Sequence, residues 1–291
     1  MLITVVIPVY NRAHSVGRAI SSVLAQDLPP AYGLAAIVVV DDGSSDDLAG
    51  ALRPFGERIQ CLRHPRNLGA AAARNTGVAA APEGYVAFLD SDDVWLPGKL
   101  SAQIEAMARN GWAASCTAYH LKRGGSPPIV SPRYEDGELD LSDLVWGCFV
   151  SPGSTLMFTK TIFERVGPLD TSLGRLEDWD WLLRYAQRNA LGFLARPLAT
   201  IEPSAGGEVA TVLQAAERIR AKHAGHLSGE QQRHLLAGLD VACAAAHYGR
   251  GEYGAALARL IRSIWRAPVG NAALSAILHN RMAAPSHVAS R

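Results

Sequence analysis

The sequence predicts an α/β fold: a Rossmann-like, mostly parallel sheet with helices on both faces, followed by a C-terminal α-helical extension. Three observations carry that prediction. Apolar, β-branched runs alternate with amphipathic helical segments over the first ~110 residues, the pattern of a parallel sheet with right-handed crossovers. Three of those runs end in polar clusters, and ligands in such sheets bind where strands end. From about residue 210 onward only helical periodicity remains.

The first run, LITVVIPVY, reads as a strand buried on both faces. In SVGRAISSVLAQ, Val16, Ala19, Ile20, Val23 and Leu24 fall on one helical face. AAIVVVDDGSSDD is a second buried strand ending in a polar turn, and RIQCLRH is a shorter one. NLGAAAARNTGVAAA is an alanine-rich helix, small enough to pack closely on a sheet. YVAFLD is another strand, and PGKLSAQIEAMARNG is a helix with Pro97 at its start and Gly111 at its end.

Beyond residue ~113 the alternation fails. AASCTAYHL reads as a strand, and KRGGSPPIVSPRYEDGE, rich in Pro, Gly and charge, as a mobile loop. STLMFTKTIFERVG reads as strand then helix. LEDWDWLLRYAQRNA is a helix that buries Leu176, Trp179, Leu182, Leu183 and Ala186. EPSAGGEVAT is a boundary, which gives a domain at 1–205, with halves at 1–110 and 111–205, and a helical region at 206–291. Helices are expected over about 210–282, with a hairpin in AAHYGRGEYGAALARLIRSIWRAP that needs the preceding domain to cover its apolar face. The last residues, AAPSHVASR, read as frayed.

With 291 residues, 48% of them hydrophobic, the chain can bury a large core. A net charge of +1 argues against nucleic acid as a partner. Cys61, Cys116, Cys148 and Cys243 are far apart and in apolar contexts, as buried thiols in a reducing compartment would be. No signal peptide and no apolar run of ~20 residues is visible, so a soluble, cytoplasmic protein is expected. The nine histidines form no ligand set and read as solvated or core-edge groups.

The carboxylates carry the chemistry. Asp41 and Asp42 end one strand; Asp90, Asp92 and Asp93 end another. Each could be a simple turn or cap. Together on one rim they would repel, and a divalent cation removes that cost. An oxygen-only, solvent-facing set suits Mg2+ or Mn2+, which complete their shells with water and substrate phosphates. The implied substrate is a nucleoside-diphosphate compound.

VVIPVYNR, VVVDDGSSDD, NLGAAAARNTGV, FLDSDD and LEDWDWLLR occur in an order and spacing that resemble family 2 glycosyltransferases, inverting enzymes of the GT-A fold. The resemblance spans residues 1 to about 200. It implies that Pro8, Tyr10 and Asn11 line the nucleotide pocket, with Tyr10 against the base. It puts Asp42 on the base, a task Asp41 could share, and Arg74 near the base or diphosphate. Asp90 would meet the ribose or donor sugar, with Ser91 beside it. Asp92 would hold the metal, while Asp93 orients the loop. The acid of the ED pair, Asp178, would be the general base. Glu177 and Trp181 would face the acceptor, although Trp181 also reads as core. Asp178 has a rival role as a first-turn helix acid, and Asp180 with Arg184 reads as a structural pair.

The resemblance therefore implies single-step transfer of one sugar from a nucleotide-sugar donor, UDP-linked before others, to a glycan or lipid-linked acceptor in cell-envelope polysaccharide synthesis. LLRYAQRN departs from the QxxRW of processive members, which argues against a polymerase. Two alternatives stand beside this one. A nucleotidyltransferase would carry a Gly-rich basic loop that PVYNRAHSVGRA lacks. A non-catalytic binding protein would lack Asp92 or Asp178. Arg259, Arg262 and Arg266 are interleaved with Leu260, Ile261, Ile264 and Trp265. That pattern suits either a membrane-surface helix or one packed on the catalytic domain; the tail could also form a homodimer.

Overall fold

The computed structural model describes residues 1–123, 126–132, 134–203 and 208–268. The first part runs β1 (Leu2–Val9), α1 (Ala13–Leu24), β2 (Gly33–Asp41), α2 (Leu48–Leu52), β3 (Gln60–Arg63), α3 (Ala70–Ala80) and β4 (Tyr85–Phe88). Next come β5 (Val94–Trp95), α4 (Lys99–Asn110), β6 (Ala114–Arg123), β7 (Ser126–Ser131) and β8 (Gly137–Leu139). Then follow α5 (Leu141–Leu144), α6 (Pro152–Thr155), β9 (Met157–Thr159), α7 (Lys160–Val166), α8 (Glu177–Ala186) and β10 (Leu191–Ile201). α9 (Val209–His223), α10 (Gly229–Gly249) and α11 (Tyr253–Arg266) form the helical part.

Among the described residues the strands form one sheet, ordered β3-β2-β1-β4-β9-β6-β10-β5, with β7 on β6 and β8 on β10. Both faces are covered. Ile3, Val5, Ile7 and Val9 of β1 pack toward α1 and α4, while Val6 packs with Val38, Val40 and the alanines of α3. That is the two-sided burial its continuous apolar run predicts. α3 lies so close that a Cβ on Gly77 would sit 2.2 Å from a Val6 methyl, which is why the helix is built of small residues.

Parallel pairing joins β3-β2-β1-β4, as expected, and also β6 with β10. β9 is antiparallel to both β4 and β6, so the sheet is mixed. The expected mobile loop after Lys122 is instead largely strand. β7 returns antiparallel along β6 with Tyr119 opposite Ser131, and its prolines are tolerated because only one side needs a ladder. β10 and the short β5 escape sequence periodicity. β10 carries Pro197 within register shifts against β6. Pro97 lies before α4, whose flanking residues are Gly98 and the left-handed Gly111.

α8 buries Trp179 and Leu183 against α9 and α10, and Trp181 and Leu182 against the sheet. Asp180 locks this arrangement. Its carboxylate accepts from Arg184 Nε at 3.0 Å, Lys222 Nζ at 2.9 Å and His223 Nε2 at 2.8 Å. Burial works against that charge, but His223, Arg184 and Lys222 outweigh it and hold the carboxyl down at about 2. The helical hairpin α10–α11 is present as expected. Residues 204–207 of the expected boundary, the expected helix beyond 268 and the expected frayed end lie outside the described residues.

Candidate active site

The polar clusters at the carboxyl ends of β1, β2 and β4 meet along one rim. Asn11, at φ +52°, turns the chain out of β1. Its N–H donates to Ser44 Oγ at 3.0 Å, and its Oδ1 accepts from the Ser45 N–H at 2.8 Å. Arg12 Nε lies 3.5 Å from Asp92 Oδ2, which ties the β1 end to the β4 end. Pro8 is half-buried, and Tyr10 is 47% exposed at the mouth.

Asp41 and Asp42 face inward. Asp41 accepts from the Ser44 N–H at 2.8 Å and from Arg63 Nη1 at 2.5 Å. Asp42 takes the N–H groups of Leu68 and Gly69 at 2.9 and 2.8 Å and meets His64 Nδ1 at 2.7 Å. A carboxylate offers about four lone-pair sites, so Asp42 already has three partners. In this structure Asp42 braces the 64–69 segment and Asp41 ties the 41–44 turn to Arg63, and a base would have to share them.

Arg74, expected near the base or diphosphate, is 5% exposed and bridges two acids. Nη2 donates to Asp90 Oδ1 at 2.6 Å and Nη1 to Glu177 Oε1 at 2.8 Å. Burial disfavours the charge, but Asp90, Glu177 and Asp178 outweigh it and keep the guanidinium protonated. The bridge brings the DSDD turn and the ED pair together across more than 80 residues of sequence. Gly153 backs it: a Cβ there would sit 2.5 Å from Asp90 Oδ2 and 2.9 Å from Arg74 Nη2.

Asp178 begins α8 half-buried, its Oδ1 accepting the Trp179 N–H at 2.7 Å. Burial, then the neighbouring Glu177, push its carboxyl from 3.8 up to about 6. Trp181 is corrected outright as an acceptor residue. It is 1% exposed, stacks between Phe163 and Tyr185 and donates Nε1 to the Gly167 carbonyl. Glu177, expected to face the acceptor, is buried against Arg74. Helical periodicity located one buried face of α8, whereas both faces are covered.

Sequence reasoning passed over Ser154. Its Oγ accepts the Asp90 N–H at 3.1 Å and donates to Asp93 Oδ2. The other Asp93 oxygen accepts the Glu202 N–H at 2.9 Å. Asp93 thus anchors the turn, and Ser91 is buried beside it. The only sequence signal for this brace is the turn-forming SPGST, which names no partner.

Burial, then Asp90, push the Asp93 carboxyl from 3.8 up to about 8. A carboxyl raised in this way stabilises the fold while protonated, and that contribution fades as pH rises from about 4 to about 8. Asp93→Asn removes the buried charge and keeps the shape. It is expected to melt about 2–4 °C above wild type at pH 9, the size of a ~1 kcal/mol gain, with the gap closing at pH 5. A thermal-melt series against pH checks this.

The turn offers only oxygen donors to a cation. Asp90 and Asp92 keep 37% and 29% of their side chains exposed. No group of three or more potential ligands occurs among the described residues. Oxygen donors of this kind are the chemistry of hard cations such as Mg2+ or Mn2+, and Asp92 is paired with Arg12 here.

A sequence model described as Glycosyl transferase family 2 matches residues 4–167. An uncharacterized glycosyltransferase of Rickettsia conorii is 34% identical over 209 residues, 70% of this chain and 33% of that protein. An Escherichia coli UDP-Glc:alpha-D-GlcNAc-diphosphoundecaprenol beta-1,3-glucosyltransferase is 40% identical over 110 residues, 38% of this chain and 42% of that protein. The chain spans less than half the length of these two relatives. Staphylococcus aureus TarS in complex with UDP-GlcNAc matches with a TM-score of 0.62 at 16% identity, over 91% of this chain and 92% of that one. A Pyrobaculum calidifontis mannosyltransferase in complex with GDP-Man and Mn2+ matches with a TM-score of 0.58 at 20% identity, over 94% and 77%. At these identities the likeness is one of fold, the GT-A arrangement.

Proposed function

The chain belongs to glycosyltransferase family 2, and from that premise we propose that it is an inverting, metal-dependent enzyme that moves one sugar from a UDP-sugar to a hydroxyl of a glycan or lipid-linked acceptor. The observation that carries the proposal is the Asp90–Arg74–Glu177 bridge, which holds the turn bearing Asp92 beside the helix start bearing Asp178.

Residues 1–110 bind the donor and 111–205 the acceptor, with α9–α11 as a separate helical region. Pro8, Tyr10 and Asn11 line the nucleotide pocket, where the open ring of Tyr10 stacks on the base. Asp41 and Asp42 shape its floor. Asp90 and Ser91 lie at the donor sugar. Asp92 would hold Mn2+ or Mg2+, which would supply positive charge to the diphosphate leaving group.

Asp178 removes the acceptor proton. Its Oδ1 is fixed by the Trp179 N–H, which aims the rest of the carboxylate. A pKa raised to about 6 makes it a stronger base than an ordinary Asp while leaving it ionised at neutral pH. The acceptor oxygen attacks opposite the leaving group, and one displacement inverts the anomeric carbon.

The E. coli relative's substrate names and the nucleotide complexes of the two solved structures support a nucleotide-sugar donor and a role in envelope polysaccharide synthesis. No helix among the described residues is long and apolar enough to cross a membrane. A cytoplasmic enzyme in peripheral contact with the membrane fits the exposed Leu257, Ile261 and Trp265 of α11. A self-association of that apolar side would give a homodimer.

Stereochemistry tests the mechanism without knowledge of the acceptor. Slow hydrolysis of α-linked UDP-glucose and UDP-GlcNAc with Mn2+ is followed by proton NMR. The first-formed sugar is expected as the β anomer; an α anomer contradicts inversion.

A further inference from the structure

A cavity of about 250 Å3 lies between α9, α10 and α11, with no residue in common with the candidate active site. Charged groups enter it from all three helices: Glu217 and Arg220 from α9, Asp240 from α10, and Arg259, Arg262 and Arg266 from α11. Four arginines face two carboxylates, a surplus of two positive charges. Of the two readings of this helix, a membrane-surface face or a packed one, the arginines follow the second in part: Arg259, Arg262 and Arg266 line the cavity.

The need to neutralise buried Asp240 does not account for this surplus. Its Oδ1 accepts from Arg259 Nη1 at 2.9 Å and its Oδ2 from Arg266 Nε at 2.9 Å. One of those cations would suffice. Arg262 Nη1 stays 3.9 Å from Oδ1, beyond hydrogen-bond reach. Arg220 pairs with Glu217 at the rim. Each guanidinium carries five N–H donors in a planar fork, so among the described residues most of the donors lining the cavity are held by neither carboxylate. Asp240 acts as a pin: it fixes two forks by one edge and leaves their other edges for a ligand.

We propose that this cavity binds a phosphate-bearing anion, either a free diphosphate or a phospholipid headgroup. Arginine forks match phosphate oxygens two at a time, and a surplus of two charges suits a dianion. The volume holds about eight waters at the ~30 Å3 each occupies in the liquid. That is room for one or two phosphate groups, and it falls below the ~300 Å3 at which pockets for whole small-molecule ligands begin. The site is thus sized for a charged head, with the remainder of a larger ligand outside it. It stands independently of the proposed transfer reaction.

The test titrates inorganic pyrophosphate into the full chain by calorimetry, with EDTA present and at two salt concentrations. Wild type is expected to bind, more weakly at higher salt. A double variant, Arg220→Gln with Arg262→Gln, is expected to weaken binding about tenfold or more, while Asp92→Ala binds as wild type does. Both replaced arginines have half-exposed side chains, and a melting curve checks that the variant folds. Arg262→Lys, which keeps charge without the fork, is expected to fall between the two. Cosedimentation with phosphatidylcholine vesicles, with and without phosphatidylglycerol, separates the sources. Arginine-dependent binding to the anionic vesicles, displaced by pyrophosphate, identifies a headgroup site; pyrophosphate binding without vesicle binding identifies a free-anion site. Equal binding by wild type and the double variant, loss of binding in Asp92→Ala, or binding of neither probe overturns the proposal.

Discussion

Asp178→Asn is expected to lower the transfer rate by about 10²–10⁴-fold, the contribution typical of a positioned general base. The amide keeps the size of the carboxyl and still accepts the Trp179 N–H, so the loss falls on proton removal alone. Nucleotide binding should stay near wild type. With the Asp178 carboxyl raised to about 6, activity should fall as pH drops through that value and level off above it. Stability runs the other way: a raised carboxyl supports the fold while protonated and loses that support as pH rises from about 4 to about 6. The Asn variant should therefore melt no lower than wild type at pH 7.5 while its turnover collapses. Single-turnover rates and melting curves on the same preparations check both halves. A variant that keeps more than a tenth of the rate would remove Asp178 from the chemistry.

Arg74→Met carries the second large effect. The substitution removes a buried cation and leaves Asp90 and Glu177 without their shared partner. Breaking a buried ion pair costs about 3–5 kcal/mol. The lower end applies, because Asp90 is partly open to water. In a domain of this size that corresponds to a fall of roughly 6–12 °C in melting temperature. Adding Glu177→Gln should restore part of the loss, since one of the two stranded charges is gone. Lysine should not rescue fully, because it cannot reach two carboxylates with one planar group. A melting temperature within 1 °C of wild type would mean that the bridge contributes little.

The roles of Arg74 and Trp181 show what the sequence makes legible. The parallel core could be read because its strands are buried on both faces and leave continuous apolar runs. β10 could not, because Pro197 interrupts it and its register shifts against β6. β7 looked like a loop for a similar reason: Pro127 and Pro128 signal a break, yet a strand paired on one side tolerates them. The acids of the rim stood out as types at strand ends, but their partners did not. Nothing local in AAARN says that Arg74 will meet Glu177, 103 residues away. Helical periodicity assigns one buried side, so it could not show that Trp181 is covered by Phe163 and Tyr185 on the other. Asp42 reads the same in sequence whether it faces a base or holds the N–H groups of Leu68 and Gly69.

The proposed seating of a diphosphate on the DSDD turn, through a divalent cation on Asp92, is tested by calorimetric titration of UDP into wild type and Asp92→Ala, each with and without Mn2+. Wild type is expected to bind only with Mn2+ present, and the variant not at all. Equal binding by both proteins, or binding indifferent to Mn2+, would contradict it and leave Asp92 as the surface partner of Arg12.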